Sequence, residues 1–276
     1  MDIECLLGDF LRARRATTLP SQAGLPVSGS RRTPGLRREE VAMLAGVSTD
    51  YYVRLEQGRE RSPSDQVLRS LARVFRLGDE ATDYLYRIAG PERPVDMAAV
   101  SGEVSPRLMQ IMRSFRHAPA YLMNHRLDLL AFNSLSQRFY GSLVRYNNCI
   151  RAITLSAEAR EFFTDWEQAI RDKTARLRAG VAMARHDPRL HELVDELTEA
   201  SEDFRRVWAR HEVLPGPGTE MRRVRHPQVG ELSFTNLMVT VGGAPGQYLG
   251  VVLAGPDSAS ERALADLAED SSAVDS

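Results

Sequence analysis

Four residues in one short stretch, Thr49, Asp50, Tyr51 and Arg54, have side chains suited to reading base edges in DNA. Arg54 offers a fork of donors to a guanine N7/O6 edge, Asp50 could accept from cytosine or orient the arginine, and Tyr51 suits a thymine methyl. Positions 50 and 54 lie one helical turn apart, on a single face. That chemistry needs the exposed first turns of a helix narrow enough to enter the major groove. Arg37 and Arg38, with Gln57, Arg59 and Arg61, are placed to hold phosphates, and Arg31 and Arg32 extend the basic footprint. Any of these arginines could equally form a solvated face. Glu56 would be repelled by phosphate and is expected to pair with an arginine of the first helix, Arg15. Tyr52 and Leu55 are expected in the core.

Stepping outward, the stretch Leu36 to Gly58, LRREEVAMLAGVSTDYYVRLEQG, must hold these side chains. Its apolar residues Val41, Leu44 and Ala45, then Val47, Tyr52 and Leu55, recur at helical spacing and pause at Gly46, so two short helices meet at a tight turn. Ser48 is placed to accept from a backbone N–H near Tyr51 as the N-cap of the second helix, and Gly58 can end it in the left-handed conformation. Further helices are predicted over 3–15, 64–75 and 79–89, with a Pro/Gly/Ser/Thr-rich surface loop over 17–34. Together these make a five-helix all-α domain over 1–90, and the proline-rich 91–106 reads as a linker.

From 107 the pattern changes. Strands are predicted over 120–124 and 127–133 around a His125-Arg126 turn, then amphipathic helices over 133–140, 157–185, 188–199 and 201–211. Strand character returns over 220–225, 230–241 and 247–254, with GGAPG at Gly242 to Gly246 as a hairpin loop. This predicts an α+β domain over 107–256 with a roughly five-stranded antiparallel sheet, then a helix over 260–268 and an acidic tail within 257–276. A helix-covered sheet can enclose a small apolar ligand, and the candidate wall residues are Tyr121, Phe132, Phe139, Phe163, Trp166, Phe204, Trp208, Phe234 and Leu237. Each has core packing as its alternative.

Composition narrows the classes. The chain has 276 residues, 43% hydrophobic and 26% charged, with a net charge of −1, which suits globular domains and argues against wholesale disorder. Charge is uneven: ten arginines face five acids between Arg12 and Arg61. No apolar run approaches the roughly 20 residues needed to span a bilayer, and MDIECLLGDFLRARR is acidic where a signal peptide is basic, so cytoplasmic residence without membrane association is expected. Cys5 and Cys149 lie far apart, and His186 and His191 fall on different helical faces, so no disulfide, metal site or cofactor is expected. The sequence has no P-loop, no G-x-S-x-G elbow and no dinucleotide fingerprint after a strand.

Residues 36–75, LRREEVAMLAGVSTDYYVRLEQGRERSPSDQVLRSLARVF, resemble the XRE-type, phage-repressor-like helix-turn-helix of bacterial transcription regulators. More narrowly, RRTPGLRREEVA and DYYVRLEQGR, then AYLMNHRLDLLAFN, FRRVWARHEV and HPQVGELSF, resemble the MmyB-like subfamily, and the likeness runs from about Leu6 to Gly255. The resemblance implies a PAS-like ligand-binding domain after the helix-turn-helix, a fatty-acid-like ligand, and base contacts by Thr49, Asp50 and Arg54. The acid at Asp50 departs from the amides of the best-known phage repressors.

The expected function is a sequence-specific transcription regulator that binds a double-stranded DNA operator, under the control of a small hydrophobic ligand. A homodimer is expected, because one small module makes few base contacts and two recognition helices would address half-sites about one helical turn apart. Ligand control would pass through residues 91–106. A protein-interaction adaptor acting on RNA polymerase or another partner is the alternative. An enzyme in the C-terminal half is disfavoured, since no nucleophile-base pair or metal set is visible.

Overall fold

The computed structural model describes residues 6–26, 33–60, 62–90, 104, 106–185, 187–213, 218–240 and 246–269. The expected linker over 91–106, apart from Val104 and Pro106, lies outside the described residues, as do Cys5, Arg31, Arg32, Arg61, His186 and most of GGAPG.

The N-terminal helices are α1 (Leu6–Thr17), α2 (Arg38–Ala45), α3 (Thr49–Glu56), α4 (Asp65–Val74) and α5 (Asp79–Ala89). Each buries a narrow stripe in one shared core: Phe10 and Leu11, Val41, Tyr52 and Leu55, Leu68 and Leu71, and Leu85. Gly46 at φ 73° makes the left-handed turn between α2 and α3 that a residue with a Cβ resists. Gly8 solves a second problem, because a Cβ there would come within 2.4 Å of the Glu56 carbonyl oxygen. The missing side chain lets α1 cross close over the end of α3.

The second half begins with α6 (Pro106–Ser114), a helix just past the expected linker, where the sequence pattern suggested no element. Strands β1 (Ala120–Asn124), β2 (Leu129–Phe132), β3 (Gly218–His226), β4 (Gly230–Thr240) and β5 (Gln247–Ala254) form one antiparallel sheet in the order β2-β1-β5-β4-β3. Between β2 and β3 run α7 (Ser134–Tyr140), a 3-10 helix over Gly141–Tyr146, α8 (Cys149–Leu155), α9 (Ala157–Phe162), α10 (Trp166–Met183), α11 (Pro188–Ala200) and α12 (Glu202–Trp208). After β5 comes α13 (Ala259–Glu269), whose Ser260 hydroxyl accepts from the Ser233 N–H at 2.9 Å.

The single helix predicted over 157–185 is two. The Thr164 N–H donates to the Arg223 carbonyl at 3.1 Å, which draws the chain against β3, and the Asp165 carboxylate then caps α10 by accepting from the Gln168 N–H at 3.1 Å. The strand predicted over 127–133 shortens to β2, because Leu127, at φ 66°, belongs to the turn. Leu237, a candidate wall residue, lies on the sheet face opposite the helical insertion, since its neighbours Asn236 and Met238 point inward. On that outer face α6 covers β1 and β5 through Leu108 and Met112 against Leu122, Leu249 and Val251.

Candidate functional site

Residues Thr49, Asp50 and Arg54 stand exposed on the first turns of α3, with Tyr51 half-buried beside them. Ser48 caps the helix: its hydroxyl accepts from the Tyr51 N–H at 3.1 Å, an interaction that stabilises a helix start by about 1 kcal/mol. Arg54 donates to Asp50 across 3.2 Å, and its guanidinium lies 5.8 Å from the Tyr51 ring centroid. The pair has the geometry that one of the two expected roles of Asp50, orienting Arg54, would need. At 80% side-chain exposure for Asp50 the pair contributes little to stability, so its effect is on the direction of the fork.

Behind this face Glu56 is 1% exposed and accepts from Arg15 of α1 at 2.5 Å and from Arg38 of α2 at 2.7 Å. Burial works against the charge, but the two guanidiniums hold the carboxyl below the usual glutamate range. The Arg15 partner is as the sequence suggested; the Arg38 partner is new. Arg38 therefore spends its Nε on Glu56 while its side chain remains 47% exposed, so the head group is positioned instead of swinging free. Arg37 at the start of α2, and Gln57 and Arg59 just past α3, are exposed on the same domain.

In the C-terminal domain a cavity of about 70 Å³ lies between the sheet and the inserted helices. Tyr121, Phe132, Phe163 and Phe234 line it, with Leu129, Leu143, Ala152 and Ile153. Four other aromatic candidates lie elsewhere. Phe139 is a core residue that packs on Phe162 and Phe234 and lines a separate, open groove. Trp166 donates its indole N–H to the Ile153 carbonyl at 2.9 Å, under the Arg160 guanidinium. Phe204 and Trp208 stack on each other 5.5 Å apart, in the core formed with α10 and α11. Helical spacing placed these rings inside the protein without telling one interior from another.

The cavity also has polar groups that reading for aromatics missed. Glu220 and Arg222 of β3, Asn236 of β4, Lys173 of α10, Tyr140 and the free Cys149 line it. Glu220 meets Lys173 at 3.6 Å, Arg176 at 2.5 Å and Arg222 at 2.8 Å, and Arg222 also meets Asp172 at 2.5 Å. Burial opposes the Glu220 charge, yet Lys173, Arg176 and Arg222 hold its pKa down to about 2. A signal was available: Glu220 and Arg222 alternate with exposed residues toward the same side as buried Val224, an inward charged pair that a strand does not bury idly. Gly250 completes the wall. A Cβ there would fall 2.3 Å from the Tyr121 ring, and its absence lets that ring pass over β5 so that the hydroxyl donates to Asn236 Oδ1 at 3.0 Å. Burial pushes the Tyr121 hydroxyl above the usual tyrosine range, so it remains a donor.

Residues 104–267 match the family model of the MmyB-like transcription regulator ligand binding domain, and residues 6–85 match that of a helix-turn-helix domain. Both describe parts of transcription regulators. No curated protein matches the chain. Among the described residues no helix is long and apolar enough to cross a membrane.

Proposed function

We propose, for a chain that belongs to the MmyB-like transcription regulators, that α3 reads an operator and that a small apolar molecule in the C-terminal cavity changes how tightly it does so. The observation that carries the reading is the outward face of α3, where Thr49, Asp50 and Arg54 stand free of the core while Tyr52, Leu55 and Glu56 hold the helix from behind. In the proposed complex Arg54, steered by Asp50, meets a guanine edge, and Thr49 and Tyr51 touch neighbouring bases. Arg37, Arg38, Gln57, Arg59 and Arg61 approach phosphates.

The lining suits a ligand with an apolar body and an anionic head, fatty-acid-like in outline, and the cavity of about 70 Å³ would have to widen to admit a long chain. Phe132, Phe163, Phe234 and Leu143 would cover the chain, and Lys173 and Arg222 would meet the head. A homodimer with two recognition helices on half-sites one turn apart fits the small footprint of a single α3, and the chromosome places the protein in the bacterial cytoplasm.

Selection of genomic fragments on the purified protein, followed by fluorescence anisotropy with the selected duplex, tests the reading. Loss of selective binding in Arg54→Ala supports base readout. Unchanged affinity would favour the adaptor that contacts a protein partner. Native mass spectrometry with lipid extraction, on protein purified from its host, names the ligand class.

A further inference from the structure

Helix α10 is buried on nearly every side from Lys173 to Ala182, and its flanks meet different neighbours. Lys173 lines the cavity and Arg176 binds Glu220 within it. Round the helix, Ala182 packs into the core of the N-terminal helices, and Arg185 donates to the Arg87 carbonyl at the end of α5. The exchange is mutual, for Leu6 of α1 packs into the core that contains Leu177 and Val181 of α10. Each domain completes the other's interior.

Two further cations sit in this contact. Arg178 of α10 lies 3.9 Å from the Trp208 ring centroid, donates to the Trp208 carbonyl and lies 3.2 Å from His211 Nδ1, all within the C-terminal domain. Across the interface it reaches the Tyr84 hydroxyl of α5. Arg14 of α1 crosses the other way and donates to the His211 carbonyl at 3.2 Å. Among the described residues neither guanidinium forms a salt bridge; both leave Nε unpartnered, and burial holds both below the usual arginine range. Asp9 and Glu212 are the acids that act on them, from a distance. His211 sits at φ 51°, a left-handed strain for a residue with a Cβ. Burial, then Arg178, Arg14 and Arg12, lower its pKa to about 3, so it is neutral and supplies no cation or counterion at ordinary pH.

Apolar burial by Leu6, Ala182 and Val213 draws the domains together. Desolvation of two guanidiniums without a carboxylate partner opposes it. We propose that the contact of α10 with α1 and α5 is a two-state latch, held near balance by Arg14 and Arg178, through which occupancy of the neighbouring cavity repositions the DNA-reading helices. Coupling passes through a packed helix, not through 91–106 alone. This last link rests on the reading of the cavity as a ligand site. Filling the cavity displaces α10, the element it shares with the interface, and the docked state has little margin to resist.

The protein reports on its own latch, because Trp208 lies under Arg178 and the chain has two tryptophans. In full-length Trp166→Phe protein, acrylamide quenching of Trp208 measures its accessibility, and palmitate serves as the cavity probe. Removing the charge and its hydroxyl partner together, in Arg178→Met/Tyr84→Phe, leaves no orphaned donor, and Arg14→Met does the equivalent from the other side. Both variants are expected to lower the quenching constant about twofold, and palmitate to raise it in the parent by a similar factor and in the variants by less than half as much. Quenching that is unchanged or higher in both variants overturns the latch. Palmitate retained in native mass spectrometry with no change in Trp208 overturns its coupling to the cavity. Palmitate not retained, with both variants tightened, supports the latch and sinks the ligand reading alone.

Discussion

Glu56 on α3 accepts from Arg15 on α1 across 2.5 Å, with 1% of the glutamate side chain and 16% of the arginine exposed. Because Arg38 of α2 shares the same carboxylate, one buried acid ties three helices behind the exposed face of α3. Replacing Glu56 with Gln leaves two guanidiniums facing a neutral amide. The N-terminal helices should lose about 2–3 kcal/mol in urea unfolding, somewhat below a fully buried pair because both arginines keep partial solvent contact. The Glu56 pKa is depressed in the fold, so its contribution is complete above the ordinary glutamate value and is lost as pH falls below it; the variant should lack that acid loss.

Arg54 and the arginines proposed to meet phosphates should separate by their salt dependence. Arg54→Ala should weaken binding of a selected duplex by roughly 10- to 100-fold with an unchanged slope of log affinity against log salt. Arg37→Ala should weaken all duplexes alike and reduce that slope by about 1. Asp50→Ala keeps Arg54 but frees its fork, so selectivity should fall more than affinity. Anisotropy titrations at several salt concentrations decide between these outcomes.

Ala152 lines the cavity from α8 and is almost fully buried. Ala152→Phe would place a ring where the ligand chain is proposed to lie, at an overpacking cost of about 1–3 kcal/mol. Lipid extracted from the variant should fall to background while DNA binding by the N-terminal helices persists. Undiminished lipid in a folded variant would remove the cavity from consideration.

Acid should loosen the C-terminal domain in two stages. His125 is buried and lies 2.8 Å from Asp187, and desolvation keeps its pKa below the ordinary histidine value. Its neutral form is therefore favoured in the fold, and that stability is lost as pH falls below about 6.5. Glu220 has the same sign in a lower window, from about 4.5 down to about 2. Melting temperatures between pH 7 and pH 3 should fall in both windows, and Glu220→Gln should shrink the second, with Asp128 and Asp187, also held below the usual aspartate range, accounting for the remainder.

How far the sequence alone reached differs between the halves. Around α3 the determinants are local: Ser48, Gly46 and the spacing of Val41, Tyr52 and Leu55 act within a turn or two of themselves, so the helix pair and its exposed residues were readable. Even Glu56 was readable, because a buried acid needs a cation. Across the C-terminal half the determinants are long-range. Asn148 caps α8 by accepting from the Ile150 and Arg151 N–H groups, but a 7-residue helix shows too little periodicity to stand out. Phe139 and Phe234 look alike as spaced aromatics, and only the register of β3 on β4, Arg222 opposite Phe234 and Glu220 opposite Asn236, brings polar groups and rings to one wall.

The mutual burial of Leu6 and Ala182 bears on how such regulators can be recombined. A chimera cut within 91–106, joining these N-terminal helices to another relative's sensor, would carry Arg14 away from His211 and Tyr84 away from Arg178, and expose an apolar seam that α10 now fills. Exchange of DNA specificity is better sought by grafting the outer face of α3 alone, leaving the seam intact. The reading head and the sensor are in this sense a single inherited piece, although the chain between them looks like a place to cut.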